Sequence, residues 1–106
     1  MILIDDSLVR GTTSKKIIGS LKRAGAGKVF MAIASPAVVS PCYYGIDTPT
    51  KEELIANNLS LEKIRRFIGA DGLYYLSPES LIKACGGGSD RNFCAACFTG
   101  EYPTKI

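Results

Sequence analysis

The sequence predicts an α/β fold: a parallel sheet with flanking helices, incomplete in this chain and followed by an irregular, cysteine-bearing tail. Three observations carry that prediction. Two short apolar runs, 2–4 and 29–34, are bounded by polar or turn-forming residues. A helical repeat of apolar positions lies between them, and strand, helix and strand in this order belong to a parallel sheet with a right-handed crossover. The chain has 106 residues, 46% of them apolar, which provides one small core and falls short of a complete doubly wound sheet.

The first run, Ile2, Leu3 and Ile4, is too continuous for a strand with one wet face, so it reads as a buried parallel strand. Asp5 and Asp6 follow at its carboxyl end, where open α/β sheets collect their ligands. Neighbouring side chains on a strand point to opposite faces. Both aspartates therefore serve one ligand only if the strand ends at Asp5. The stretch 7–13 then offers the hydroxyls of Ser7, Thr12 and Thr13, the small Gly11, and the backbone N–H groups of a helix start. Such a start carries unpaired donors and partial positive charge, which favour a phosphate, and Gly11 lets the backbone approach it. The carboxylates suit sugar hydroxyls or Mg²⁺. Together they fit a molecule with a phosphate at one end and a diol in its middle.

From a start near Thr13, Ile17, Ile18, Leu21 and Ala24 recur at helical spacing, and Gly25 is the expected stop. The run 29–34 is the second strand. Residues 35–49 hold three of the five prolines, so this stretch is expected to be irregular and to lie at the strand's carboxyl end. Thr50 and Glu53 form a capping-box pattern opening a short helix. Ser60 caps the next, with Leu61, Ile64, Phe67 and Ile68 inward and Lys63, Arg65 and Arg66 on a wet face. Residues 72–76 read as a short strand, and Ser77 with Pro78 starts a last helix. Gly86, Gly87 and Gly88 end it and form a flexible link. The division is thus a body over 1–85 and a link with tail over 86–106.

Composition narrows the chemistry. The net charge of +3 comes from scattered residues, and histidine is absent. Solvated faces are expected rather than a nucleic-acid surface, and no imidazole serves as base or ligand. No apolar stretch approaches about 18 residues, so no membrane span is expected, and a cytoplasmic location is the default. Cys94 and Cys97 form a C-x-x-C spacing. That places two thiolates within reach of one metal, and by itself suits zinc, an iron–sulfur cluster or a redox pair equally. Phe93 and Phe98 flank it and could supply a dry shell. A thioredoxin-like role fits poorly with a motif in a tail, and a disulfide framework with a cytosolic chain.

The string DDSLVRGTT resembles the signature of type I phosphoribosyltransferases. SPCYYGIDTPTKEELIA, EKIRRFIGADGLYYLS and FCAACFTGEYPT are similar to the C-terminal part of the amidophosphoribosyltransferase family, in its iron–sulfur branch. The resemblance covers essentially the whole chain. It implies a partial phosphoribosyltransferase domain, Rossmann-like, in which Asp5 and Asp6 meet the ribose hydroxyls and Mg²⁺ of phosphoribosyl pyrophosphate. Ser7, Val9, Arg10, Gly11, Thr12 and Thr13 would cradle the 5-phosphate. Cys42, Cys94 and Cys97 carry over as [4Fe-4S] ligands, with a fourth ligand from outside this chain. Cys85 matches no ligand and reads as a small core residue or an improvised fourth thiolate.

The implied reaction is displacement of pyrophosphate by glutamine-derived ammonia, giving 5-phosphoribosylamine in the first step of purine biosynthesis. No residue is assigned as acid or base. The implied partners are a missing N-terminal portion carrying the glutaminase and early transferase strands, and further copies in a homo-oligomer. The 106-residue chain alone is expected to be inactive and prone to self-association. Two other readings stand beside this one: a different phosphoribosyltransferase, and a non-catalytic metal-binding or assembly module.

Overall fold

A computed structural model describes residues 1–86 and 93–105. Gly87 and Gly88 of the expected link lie outside the described residues. Three strands, β1 (Ile2–Asp5), β2 (Phe30–Ile33) and β3 (Gly72–Tyr74), form one parallel sheet in that order. Leu3 pairs with Met31 and Met31 with Leu73 on one face; Ile4, Ala32 and Tyr74 align on the other.

Among the described residues, only the first of those faces is covered. Helix α1 (Thr12–Arg23) and helix α3 (Leu61–Ile68) pack together over it. Ile18, Ile64 and Ile68 enclose Met31, Ile33 and Leu73, with Leu8 and Ile55 closing the end of the core. Each such isoleucine contributes roughly 1.5–3 kcal/mol by leaving water. The opposite face is open: Ile2, Ile4 and Tyr74 are 70, 73 and 60% exposed. The expectation of a buried first strand is therefore corrected. Its unbroken apolar run is suited to two covered faces, and the described residues cover one.

The helices also turn narrower stripes inward than their sequences suggest. In α1 the spacing Ser14, Ile18, Leu21 faces the core, while Ile17 and Ala24 are exposed. Helix α1 ends near Gly25, whose N–H reaches Lys22 O while Ala26 N–H reaches Leu21 O. In α3, Ser60 Oγ accepts from Lys63 N–H as expected, yet Leu61 is exposed and Phe67 lies at the rim. Arg65 is not simply a wet-face residue. It pairs with Glu62 and donates to Ala70 O at 2.8 Å, tying the helix end to the entry of β3.

Between β2 and α3 the chain is irregular up to a 3-10 turn, Lys51–Glu53, and the one-turn helix α2 (Ile55–Asn58). The capping box at Thr50 does not form, since Thr50 makes no side-chain cap and Glu53 instead meets Arg10 at 3.4 Å. Helix α4 (Pro78–Ala84) starts as expected, with Ser77 Oγ accepting from Ser80 N–H. Cys85, at its end, is exposed rather than core. The tail forms a one-turn helix, α5 (Ala96–Thr99), and is tied back to the body by Val39 and Ser40 N–H groups, which donate to Cys97 O at 2.8 and 3.1 Å. Among the described residues no helix is long and apolar enough to cross a membrane.

Candidate functional site

Strand β1 stops at Asp5, and the next six residues turn into α1. Ending there lets consecutive aspartates share one corner: Asp6 N–H donates to Asp5 Oδ1 at 2.8 Å, and Ser7 Oγ donates to Asp6 Oδ1 at 3.3 Å. Around this corner lies a cavity of about 200 Å³ lined by Asp5 and by every residue of the 7–14 stretch. The structure thus brings Asp5, Ser7, Val9, Arg10, Gly11, Thr12 and Thr13 together. Asp6 stands beside the cavity, exposed, and does not line it.

Gly11 makes the geometry possible. It is the residue before α1 and adopts φ +82°, a left-handed conformation that favours glycine. The first intrahelical bond runs from Lys15 N–H to Gly11 O, so the amides of the first turn face the cavity end of the helix. Their dipole attracts an anion there, and no acidic side chain occupies that turn. Two features beneath the loop escaped the sequence reading. Ile55 and Phe67 form its floor, and Ile55 N–H donates to Val9 O at 3.0 Å. Periodicity puts Phe67 on the inward stripe of α3 without linking it to this loop, and Ile55 carries no mark beyond its apolar character. Leu8, apolar within a polar loop, is the plug that anchors the loop in the core.

The second cluster is the thiols. Tyr44 N–H points at Cys42 Sγ at 3.4 Å, and this donor, followed by Ile46 N–H, lowers the Cys42 thiol below its ordinary pKa. Burial raises that of Cys97, assisted by the nearby charges of Cys42 and Cys94. The Val39 and Ser40 amides on Cys97 O bring the Cys97 segment to the loop that carries Cys42. Among the described residues no group of three or more Cys, Asp or Glu side chains is placed to hold a metal ion. As a donor set the thiols still fit an iron–sulfur centre, being soft ligands with an N–H directed at one sulfur. Cys85 lies at the end of α4, exposed. Phe98 is half-buried and Phe93 exposed, so only the former resembles a dry wall.

No protein-family profile matches the chain. Over 105 residues it is 56% identical to amidophosphoribosyltransferase 1, chloroplastic, of Arabidopsis thaliana, covering 99% of this chain and 18% of that protein. It is 52% identical over 109 residues to the amidophosphoribosyltransferase of Bacillus subtilis, covering all of this chain and 23% of the relative. Its fold superposes with a TM-score of 0.91 and 53% identity on glutamine phosphoribosylpyrophosphate amidotransferase from B. subtilis complexed with ADP and GMP, covering 99% of this chain and 24% of that one. The chain is homologous along its whole length to one segment of the amidophosphoribosyltransferases. It spans about a fifth of the length of the curated relatives it matches. The amidophosphoribosyltransferase fold thus accounts for the parallel sheet, its flanking helices and the cysteine-containing region. The sequence resemblance and the superposition agree along the chain, including the tail.

Proposed function

We propose that this chain supplies the ribose-phosphate corner of an amidophosphoribosyltransferase that converts phosphoribosyl pyrophosphate and glutamine-derived ammonia to 5-phosphoribosylamine. The observation that carries the reading is the cavity between Asp5 and the first turn of α1. Backbone N–H groups at one end take the 5-phosphate, and carboxylate oxygens at the other accept from the ribose hydroxyls. Anchoring the phosphate away from the breaking bond uses remote binding energy to orient the anomeric carbon.

Positive charge grows on the ribose ring as the leaving group departs, and the Asp5 and Asp6 carboxylates beside it favour that charge. The same two carboxylates would hold Mg²⁺, which usually keeps several waters and needs only one or two protein oxygens. When bound, the ion supplies neutralisation of the departing pyrophosphate. This chain offers orientation and electrostatics and no general base. Cys42, Cys94 and Cys97 would hold an iron–sulfur cluster with a fourth ligand from beyond this chain, and the cluster would cross-link the tail to the body.

The remaining four-fifths of such a protein, including a glutaminase, would cover the open face around Ile4 and Tyr74. Further copies would complete a homo-oligomer. A cytoplasmic location is part of this reading, and the relatives named as chloroplastic mark the alternative compartment. Titration calorimetry of the full-length protein with phosphoribosyl pyrophosphate and Mg²⁺ tests the reading. Asp5→Asn with Asp6→Asn should weaken binding roughly 10- to 100-fold, the scale of losing a hydrogen bond to a charged group. Unchanged binding would retire the assignment.

A further inference from the structure

Three of the five tyrosines converge where the tail meets the body. The Tyr102 ring lies 5.1 Å from that of Tyr43 and 6.3 Å from that of Tyr44, both tilted, within the range of favourable aromatic pairs. The Tyr102 hydroxyl donates to Pro41 O at 2.7 Å. The Tyr44 hydroxyl answers from the other side: it lies 2.7 Å from Thr104 Oγ1 and accepts from Thr104 N–H at 3.3 Å. Each hydroxyl thus bonds across about sixty positions of sequence, from the 41–44 loop to the tail or the reverse.

Loop and tail are also the two segments that carry the thiols. Cys42 lies between Pro41 and Tyr43, and Cys97 precedes Tyr102 by five residues. The two segments are joined independently by the Val39 and Ser40 amides on Cys97 O. Tyr43 and Tyr44 are exposed, so hydrophobic burial alone does not explain the arrangement. The paired hydroxyls do, because they fix the tilt of two rings that solvent would otherwise leave free.

We propose that Tyr102, packed on Tyr43 and Tyr44 with its hydroxyl on the Pro41 carbonyl, is a positioning residue that holds the Cys97 helix against the Cys42 loop before any metal arrives. This rests on the thiol assignment above for its purpose and on the protein contacts alone for its existence. A metal-free clasp changes what cluster insertion requires. The entropy of bringing residues 42 and 97 together is already spent in folding, so the thiolates close on the iron through local adjustment.

The test uses the full-length protein stripped of metal, as wild type, Tyr102→Phe and Tyr102→Ala. Hydrogen exchange at the Val39 and Ser40 amides reads the clasp, with Met31 and Ala32 in β2 as the control for global unfolding. Loss of two aromatic contacts and a hydrogen bond should speed exchange at Val39 and Ser40 roughly 10- to 1,000-fold in Tyr102→Ala. Tyr102→Phe, which keeps the ring, should lose about tenfold at most. Iron and sulfide incorporation should slow in the same order, with phosphoribosyl pyrophosphate binding unchanged. Wild-type exchange and wild-type iron uptake in Tyr102→Ala would overturn the proposal. If Tyr102→Ala unfolds β2, unaltered exchange and uptake in Tyr102→Phe would overturn the part played by the hydroxyl. Wild-type protein that takes up no iron yet shows the graded exchange would sustain the clasp and retire the cluster.

Discussion

The Ile55 side chain occupies the space that a Cβ on Gly11 would need: the methyl Cδ1 lies 2.8 Å from that position. The contact couples the phosphate-facing loop to a helix turn more than forty residues later. The loop is braced further by the buried Leu8 and by Phe67, whose Cε1 stands 3.3 Å from the same point.

Gly11→Ala should therefore fail twice. The left-handed backbone costs roughly 1–2 kcal/mol for a residue with a Cβ, and the methyl must displace Ile55. A urea midpoint lowered accordingly, with phosphoribosyl pyrophosphate affinity reduced more than in a destabilised core variant, is the expected pair of results. Ile64→Ala serves as that core variant. It removes a buried side chain from α3 and should cost about 2–5 kcal/mol without touching the cavity.

Asp71 carries a pH dependence. Its carboxylate accepts from Val29 N–H at 2.7 Å and pairs with Lys22 at 3.1 Å, and these partners hold its pKa below the ordinary 3.8. A depressed folded-state pKa contributes stability that is present above the unfolded value and lost as pH falls through the folded one. The denaturation midpoint should thus drop as pH falls below about 4. Asp71→Asn should be less stable at neutral pH, with the gap to wild type closing in acid. A parallel offset at every pH would show that the carboxylate charge is not responsible.

Cys94→Ser in the full-length protein should abolish iron absorbance, while Cys85→Ser, at an exposed position, should leave it intact. Equal iron content in both variants would remove Cys94 from the ligand set.

Ile4 tests the open face. In the 106-residue chain, Ile4→Lys alters a side chain that is 73% exposed and should shift stability by less than about 0.5 kcal/mol while raising solubility. In a full-length protein whose remaining chain covers that face, the same charge would be buried unpaired and should cost several kcal/mol. Thermal unfolding of both forms separates the cases. Equal tolerance would show that the face stays bare.

How much of this was legible beforehand depends on the range of the interaction. The strand–helix–strand order, the Ser60 and Ser77 caps and the proline-rich irregular stretch follow from spacing and local hydrogen bonding, and each stands in the structure as expected. The Thr50 capping box is equally local, but Arg10 competes for Glu53 from forty-three positions away, and no local pattern reveals a rival at that distance. Periodicity places Leu61, Ile17 and Ala24 inside and they lie outside, because periodicity says which side of a helix is apolar and not how wide a stripe the neighbouring elements reach.

By itself the amino-acid sequence determined the elements, their parallel order and the acidic, glycine-bearing loop that a phosphate can enter, because these arise from contacts between residues a few positions apart. Tertiary structure alone decided that Ile55 and Phe67 support that loop, that the described residues cover one face of the sheet, and that the tail returns to the 39–44 segment through Cys97 and Tyr102. Those outcomes depend on which distant surfaces meet, a matter of packing and excluded volume rather than of local chain chemistry.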